Sequence, residues 1–129
     1  MRRSCKIVIN NFEIIAELNN SSTASKIWNS LPISSKIKTW GHEIYFHTSV
    51  SVEIEEKARD VVQLGEIVYW PTGKAIAIGF GKTPISEGNE IRLASKCNVW
   101  ANTRFDLKKL ININQGENVL VEQYIIKYE

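Results

Sequence analysis

Residues 65–84 read GEIVYWPTGKAIAIGFGKTP, and the fold turns on how this stretch is taken. Gly81-Lys82-Thr83 has the ending of a phosphate-binding loop, whereas the residues before it alternate like a β-hairpin. A phosphate loop needs a glycine five residues ahead of its Gly-Lys-Thr, so that successive N–H groups can wrap the anion. That position is Ile76. The loop must also open a helix whose N-terminus faces the phosphate, yet Gly88 and Asn89 interrupt any helix begun at Pro84. The nucleotide reading fails on both counts. What remains is a hairpin, Glu66 to Trp70 and Lys74 to Gly81, turning at Pro71-Thr72-Gly73. Its second strand puts bulky Ile76, Ile78 and Phe80 on one face and small Ala75, Ala77, Gly79 and Gly81 on the other. Glycines inside a strand mark close approach by a crossing strand, a helix or a ligand.

The same period-2 pattern runs outward in both directions. Cys5 to Asn10 and Phe12 to Leu18 form a hairpin about Asn10-Asn11, a pair suited to positive φ. Ser22 or Thr23 caps a helix whose buried stripe is Ala24, Ile27, Trp28 and Leu31, and Pro32 ends it. Lys36 to Trp40 and Glu43 to Thr48 pair across a turn near Gly41, with Ile44 and Phe46 facing one way and Glu43, Tyr45 and His47 the other. Residues 53–64 fit a short helix or an irregular loop. Ser95 to Asn102 is a strand, Asp106 to Ile111 a helical turn, and Asn118 to Tyr128 a closing strand after Gly116. The total, about eight strands with one or two short helices, is a mainly β single domain over 1–129, and a closed barrel leaves the fewest exposed edges.

Composition narrows the function. Sixteen Lys and Arg against fourteen Asp and Glu, scattered along the chain, give a net charge of +2. Nucleic acid and membrane surfaces are therefore not expected partners. No apolar run approaches the roughly 20 residues that span a bilayer, and the start MRRSCKIVINNF lacks a cleavage pattern. A cytoplasmic location is expected. Cys5 and Cys97 have no C-x-x-C spacing and read as buried thiols. His42 and His47 face opposite ways on a regular strand, so neither a metal nor another cofactor is expected. No Gly-x-Ser-x-Gly elbow is present.

Beyond the hairpin, several segments recur in order: Trp40 to Phe46, Gly65 to Ala75, Phe80 to Pro84, Asn98-Val99, Asp106 to Lys109 and Gly116-Glu117. On these the chain resembles a family of small prokaryotic proteins of unassigned function with a cyclophilin-like fold. The resemblance implies a closed barrel of about eight mostly antiparallel strands with one or two short helices. Cyclophilins isomerise prolyl bonds with an arginine in a Phe-His-Arg sequence, followed by Phe-Met-x-Gln-Gly. This chain has Phe46-His47-Thr48 and lacks the second motif. Arg59, Arg92 and Arg104 are the alternatives for a divergent prolyl isomerase.

The family segments also concentrate side chains suited to a pocket: Trp40, Glu43, Tyr45, Tyr69, Trp70, Lys82, Thr83 and Asn98. Tyr and Trp combine an apolar body with a polar tip, and Glu43 with His47 can act as an acid/base pair or stand as separate surface groups. The expectation is a binding or interaction module holding a small polar ligand or a peptide in an aromatic-lined pocket. It requires Glu43, Tyr69, Trp70 and Asn98 to share one concavity. Catalytic residues and oligomeric state are not assigned.

Overall fold

A computed structural model describes residues 2–125. The strands are β1 (Ser4–Ile9), β2 (Phe12–Leu18), β3 (Ile33–Lys36), β4 (Lys38–Thr39), β5 (Glu43–His47), β6 (Arg59–Val62), β7 (Glu66–Trp70), β8 (Ala75–Gly79), β9 (Ile91–Thr103) and β10 (Asn118–Tyr124). Helix α1 (Ser22–Ser30) follows β2, and a 3₁₀ helix (Leu107–Asn112) follows β9. Among the described residues no helix is long and apolar enough to cross a membrane.

The hairpins form where the turn chemistry places them. Asn10 takes φ 54° between β1 and β2, a left-handed conformation that Asn tolerates better than most residues. In the turn between β7 and β8 the positive φ falls on Lys74, not on Gly73. Gly73 serves space instead: a Cβ there would clash with the ring of Trp70, 2.3 Å from Cε3 and Cζ3. The N-cap of α1 is Ser21, whose hydroxyl accepts from the N–H of Ala24 at 3.1 Å. Of the expected caps, Ser22 is already the first helical residue and Thr23 is fully buried and hydrogen-bonded to Glu55. Leu31, preceding Pro32, leaves helical geometry with ψ 143°.

All strand pairs are antiparallel, in the order β3-β10-β1-β2-β9-β7-β8-β5-β4, with β6 beside β9. The two ends of that path belong to one continuous segment. Residues 33–36 pair with β10, and residues 38–39 pair with β5. Ile37 between them bonds Glu117 and Gly116 of the turn before β10, at 2.8 Å each. Ser35 then donates to the His47 carbonyl at 2.7 Å across the remaining gap. The result is a nearly closed barrel of nine strands, which leaves few unpaired edges.

Three boundaries depart from the sequence reading. Ile33–Lys36 is an extra strand with only Ile33 buried, a pattern easily taken for a loop. Part of the ambiguous stretch 53–64 is β6. Strand β9 begins at Ile91, because its first half pairs with β6 and its second half with β7. The end of the expected closing strand, residues 126–128, lies outside the described residues.

The barrel core holds Ile7, Ile14, Phe46, Tyr69, Ile76, Ile78 and Trp100, all essentially inaccessible. A second, smaller core lies on the outer face of β7 and β8, made by Val62, Val68, Ala77, Ile91, Leu93 and Cys97. It answers the question raised by the small row of β8. The first half of β9 crosses that face, and a Cβ on Gly79 would come within 2.5 Å of Ile91 Cγ2. Gly81 is equally constrained, since its Cβ would meet His42 Nδ1 at 2.6 Å. No helix follows Gly81-Lys82-Thr83.

Candidate functional site

At the edge of the second core lies a cavity of about 250 Å³ lined by Trp40, Glu43, Tyr45, Trp70, Leu93, Ala94 and Cys97. Strand alternation builds it. With Ile44 and Phe46 turned into the barrel, Glu43 and Tyr45 must face outward. Their partners on β8 are Gly79 and Ala77, whose small side chains leave room beside the carboxylate and the phenol. The Gly41 turn, closed by the Trp40 N–H on the Glu43 carbonyl at 2.9 Å, sets Trp40 at the rim.

The aromatic walls are held in place. Trp70 donates its indole N–H to Ser95 Oγ at 2.7 Å, and its ring lies over Gly73. Tyr45 and Trp70 meet edge to face, with centroids 6.3 Å apart and planes at 89°, so two aromatic surfaces form a corner. His47 packs edge-on against the far side of the arrangement at 5.9 Å from Tyr45 and gives Nδ1 to the Gly73 carbonyl at 2.8 Å. It is exposed and does not line the cavity with Glu43.

Glu43 is the unusual member. It is 7% exposed, and among the described residues no hydrogen bond or ion pair reaches its carboxylate. Buried carboxylates are ordinarily paired. Loss of hydration therefore disfavours the charged form and pushes its pKa up to about 7. The Cys97 thiol is pushed up to about 12, by burial first and then by the charges of Glu43 and Asp60. It is an inert wall, donating weakly to the Ser95 carbonyl at 3.4 Å.

Four of the eight sequence candidates, Trp40, Glu43, Tyr45 and Trp70, thus share this cavity. The other four do not, and the requirement that Glu43, Tyr69, Trp70 and Asn98 line one concavity is not met. Tyr69 neighbours Trp70 on one strand, so it points into the barrel, where its hydroxyl donates to the Val50 carbonyl at 2.5 Å. Asn98 anchors the 53–55 loop: it donates to the Glu53 carbonyl at 2.9 Å and Thr23 Oγ1 at 3.0 Å, and accepts from the Glu55 N–H at 2.8 Å. Thr83 closes the turn to Ser86 and donates to the Arg92 carbonyl at 2.5 Å. Lys82 supplies its carbonyl to the His42 N–H at 2.8 Å and stands away from the cavity. Leu93, Ala94 and Cys97 went unforeseen. The small row on β8 was the available signal that a chain segment crosses there.

A larger groove of about 640 Å³ runs past Asn19, Asn20, Ser21, Glu55, Lys57, Arg59 and Asn98. Its principal polar groups are already committed: Asn98 as above, Glu55 to Thr23, and Arg59 to Glu66. Of the remaining arginines, Arg92 is held by Glu90 and Asp60, and Arg104 is exposed. Thr48 caps Val50 through its hydroxyl at 3.0 Å. None of the three arginines lines the aromatic cavity.

Comparison with known proteins agrees with this architecture. The family model described as Cyclophilin-like matches residues 3–122. The solution structure of the hypothetical protein AF2241 from Archaeoglobus fulgidus superposes with a TM-score of 0.81 at 40% identity, covering 95% of each chain. McbB, solved in complex with tryptophan, shares the fold at a TM-score of 0.67 and 14% identity, over 97% of this chain and 46% of its own. No curated protein matches. By the extent of the family match, by its nearly closed antiparallel barrel and by its likeness to the archaeal structure, this chain belongs to the Cyclophilin-like family.

Proposed function

We propose that the protein is a binding module whose site is the cavity between β5 and the crossing half of β9. The observation that carries this reading is Glu43, 7% exposed and without a hydrogen-bond or ionic partner for its carboxylate among the described residues, in a cavity walled by Trp40, Tyr45 and Trp70. An unpaired buried acid is costly to the free protein, and a ligand that supplies its partner removes that cost. Pockets for drug-sized molecules run to roughly 300–1,000 Å³, so a cavity of about 250 Å³ suits a small metabolite or one side chain of a peptide.

A thermal-shift screen of metabolites and short peptides tests the reading, because a ligand specific for the native state raises its apparent stability. Hits are expected to lose their effect in Trp70→Ala while the variant still unfolds cooperatively. Hits unaffected by Trp70→Ala and Glu43→Gln would place binding elsewhere and refute the assignment. Prolyl isomerisation has no arginine beside this apolar cavity. A proline-peptide assay is expected to run at the buffer rate.

A further inference from the structure

Building on the cavity as a binding site, we infer that its ligand presents a methylated ammonium group, held between the Tyr45–Trp70 corner, Trp40 and the Glu43 carboxylate. The chemistry of the walls selects this class in three steps. A cation is called for because the one carboxylate lining the cavity has no counter-charge among the described residues. An anion would repel the acid, and a neutral donor would give it a hydrogen bond without the counter-charge.

The aromatic faces favour a cation as well. Ring quadrupoles attract positive charge within about 6 Å of a centroid, most strongly for Trp, and desolvation strengthens the attraction. Two rings at 89° present two such faces to one guest, and the Ser95 bond and Gly73 contact hold Trp70 in place before binding. Rigid walls lose little freedom on binding.

Methylation follows from what covers the walls. A primary ammonium brings three N–H donors. Beyond the Glu43 carboxylate and the Tyr45 hydroxyl the lining is ring face and alkyl, from Trp40, Trp70, Leu93 and Ala94, and the Cys97 thiol already turns to the Ser95 carbonyl, so an N–H turned toward those walls meets no acceptor. A buried donor left without an acceptor is expensive. A tertiary or quaternary ammonium has one such donor or none, and its methyl groups pack against ring faces and Leu93. The cavity accommodates such a head group and little more.

Binding a cation requires ionised Glu43, so affinity depends on pH. The titratable groups around the site are Tyr45 and His47 on β5, Cys97 on β9 and Asp60 on β6, whose charge reaches Cys97. With the Glu43 pKa at about 7, affinity for a permanent cation rises about tenfold between pH 6 and pH 8.

The test compares choline with 3,3-dimethyl-1-butanol, its neutral isostere, by NMR titration of the indole N–H signals at pH 6 and pH 8. Choline is expected to shift the Trp40 and Trp70 signals at pH 8, to bind about tenfold more weakly at pH 6, and to bind at least tenfold more tightly than the alcohol at pH 8. Glu43→Gln is expected to remove the preference for choline and its pH dependence while leaving the alcohol's weak binding in place. Equal binding of choline and the alcohol overturns the cation assignment and leaves the cavity as an apolar site. Silence toward choline, tetramethylammonium and trimethyl-lysine overturns it too. The broader binding reading falls only if the metabolite and peptide screen is also silent at these two indoles.

Discussion

Replacing Glu43 by Gln keeps the shape of the side chain and removes its charge, and the consequence for stability can be worked from its surroundings. In the unfolded chain the carboxyl titrates near 4.5, and in the folded protein near 7, because burial withholds water and nothing replaces it. At pH values below 4.5 both states hold the proton, and the buried acid carries no charge penalty. Between the two values the native state binds more protons than the unfolded state, so stability falls as pH rises. Above 7 both states are ionised and the full penalty applies. At about 1.36 kcal/mol per unit, the penalty is about 3 kcal/mol. Glu43→Gln is therefore expected to gain about 3 kcal/mol on wild type as the pH rises from 4 to 8. For a chain of this length that is a rise in Tm of roughly 10 °C.

Urea unfolding of both proteins at pH 4, 6 and 8 measures the difference directly, since other titrating groups cancel between them. Carboxyl ¹³C NMR of Glu43 locates its midpoint independently. Parallel stability curves, or a midpoint near the ordinary glutamate value, would refute the reasoning by showing that the carboxylate is hydrated or paired. The perturbation also separates binding from folding: a residue retained at a cost to stability and lost without harm to the fold is one whose role lies with a ligand.

Other consequences are open to simpler assays. Gly79→Ala drives a methyl into Ile91 and is expected to cost about 1–3 kcal/mol by denaturant unfolding, as overpacked cores do. Ile91→Ala in the same chain should recover part of that loss, and strict additivity would count against the crossing-strand explanation. Asn98→Ala breaks three hydrogen bonds, one buried and two half-buried, to residues 23, 53 and 55. The expected cost is roughly 3 kcal/mol, with faster amide exchange confined first to the 53–58 loop. Cys5 and Cys97, both pushed up to about 12 by burial, are expected to resist iodoacetamide at pH 8 in the native protein and to react promptly in urea. Rapid native labelling of Cys97 would mean that β9 opens readily from the second core.

Much of the architecture was legible because strand period and turn chemistry are local properties. The residues of β2 and β7, the Asn10 turn, the end of α1 before Pro32 and the opposed faces of β8 all follow from neighbours a few positions apart. Strand alternation alone also turns Tyr69 and Trp70 to opposite faces of β7. The failure of the phosphate-loop reading needed nothing more than spacing.

The remainder depended on contacts between distant segments. That residues 33–39 serve both ends of the barrel is decided by pairing with β10 on one side and β5 on the other, and a polar Ser-Ser-Lys run does not announce it. Asn98 and Thr83 look like site residues in the sequence, but they hold loops to the barrel, since a side-chain amide or hydroxyl finds its partner only once the chain is folded. The sequence by itself determined the strands, their turns and the outward face carrying Glu43 and Tyr45, and the family resemblance implied the antiparallel barrel. Only the tertiary structure decided that β9 crosses that face, closing it into a cavity that dehydrates Glu43. Dehydration is set by what packs around a group, and Leu93 and Cys97 lie some fifty residues from Glu43 along the chain.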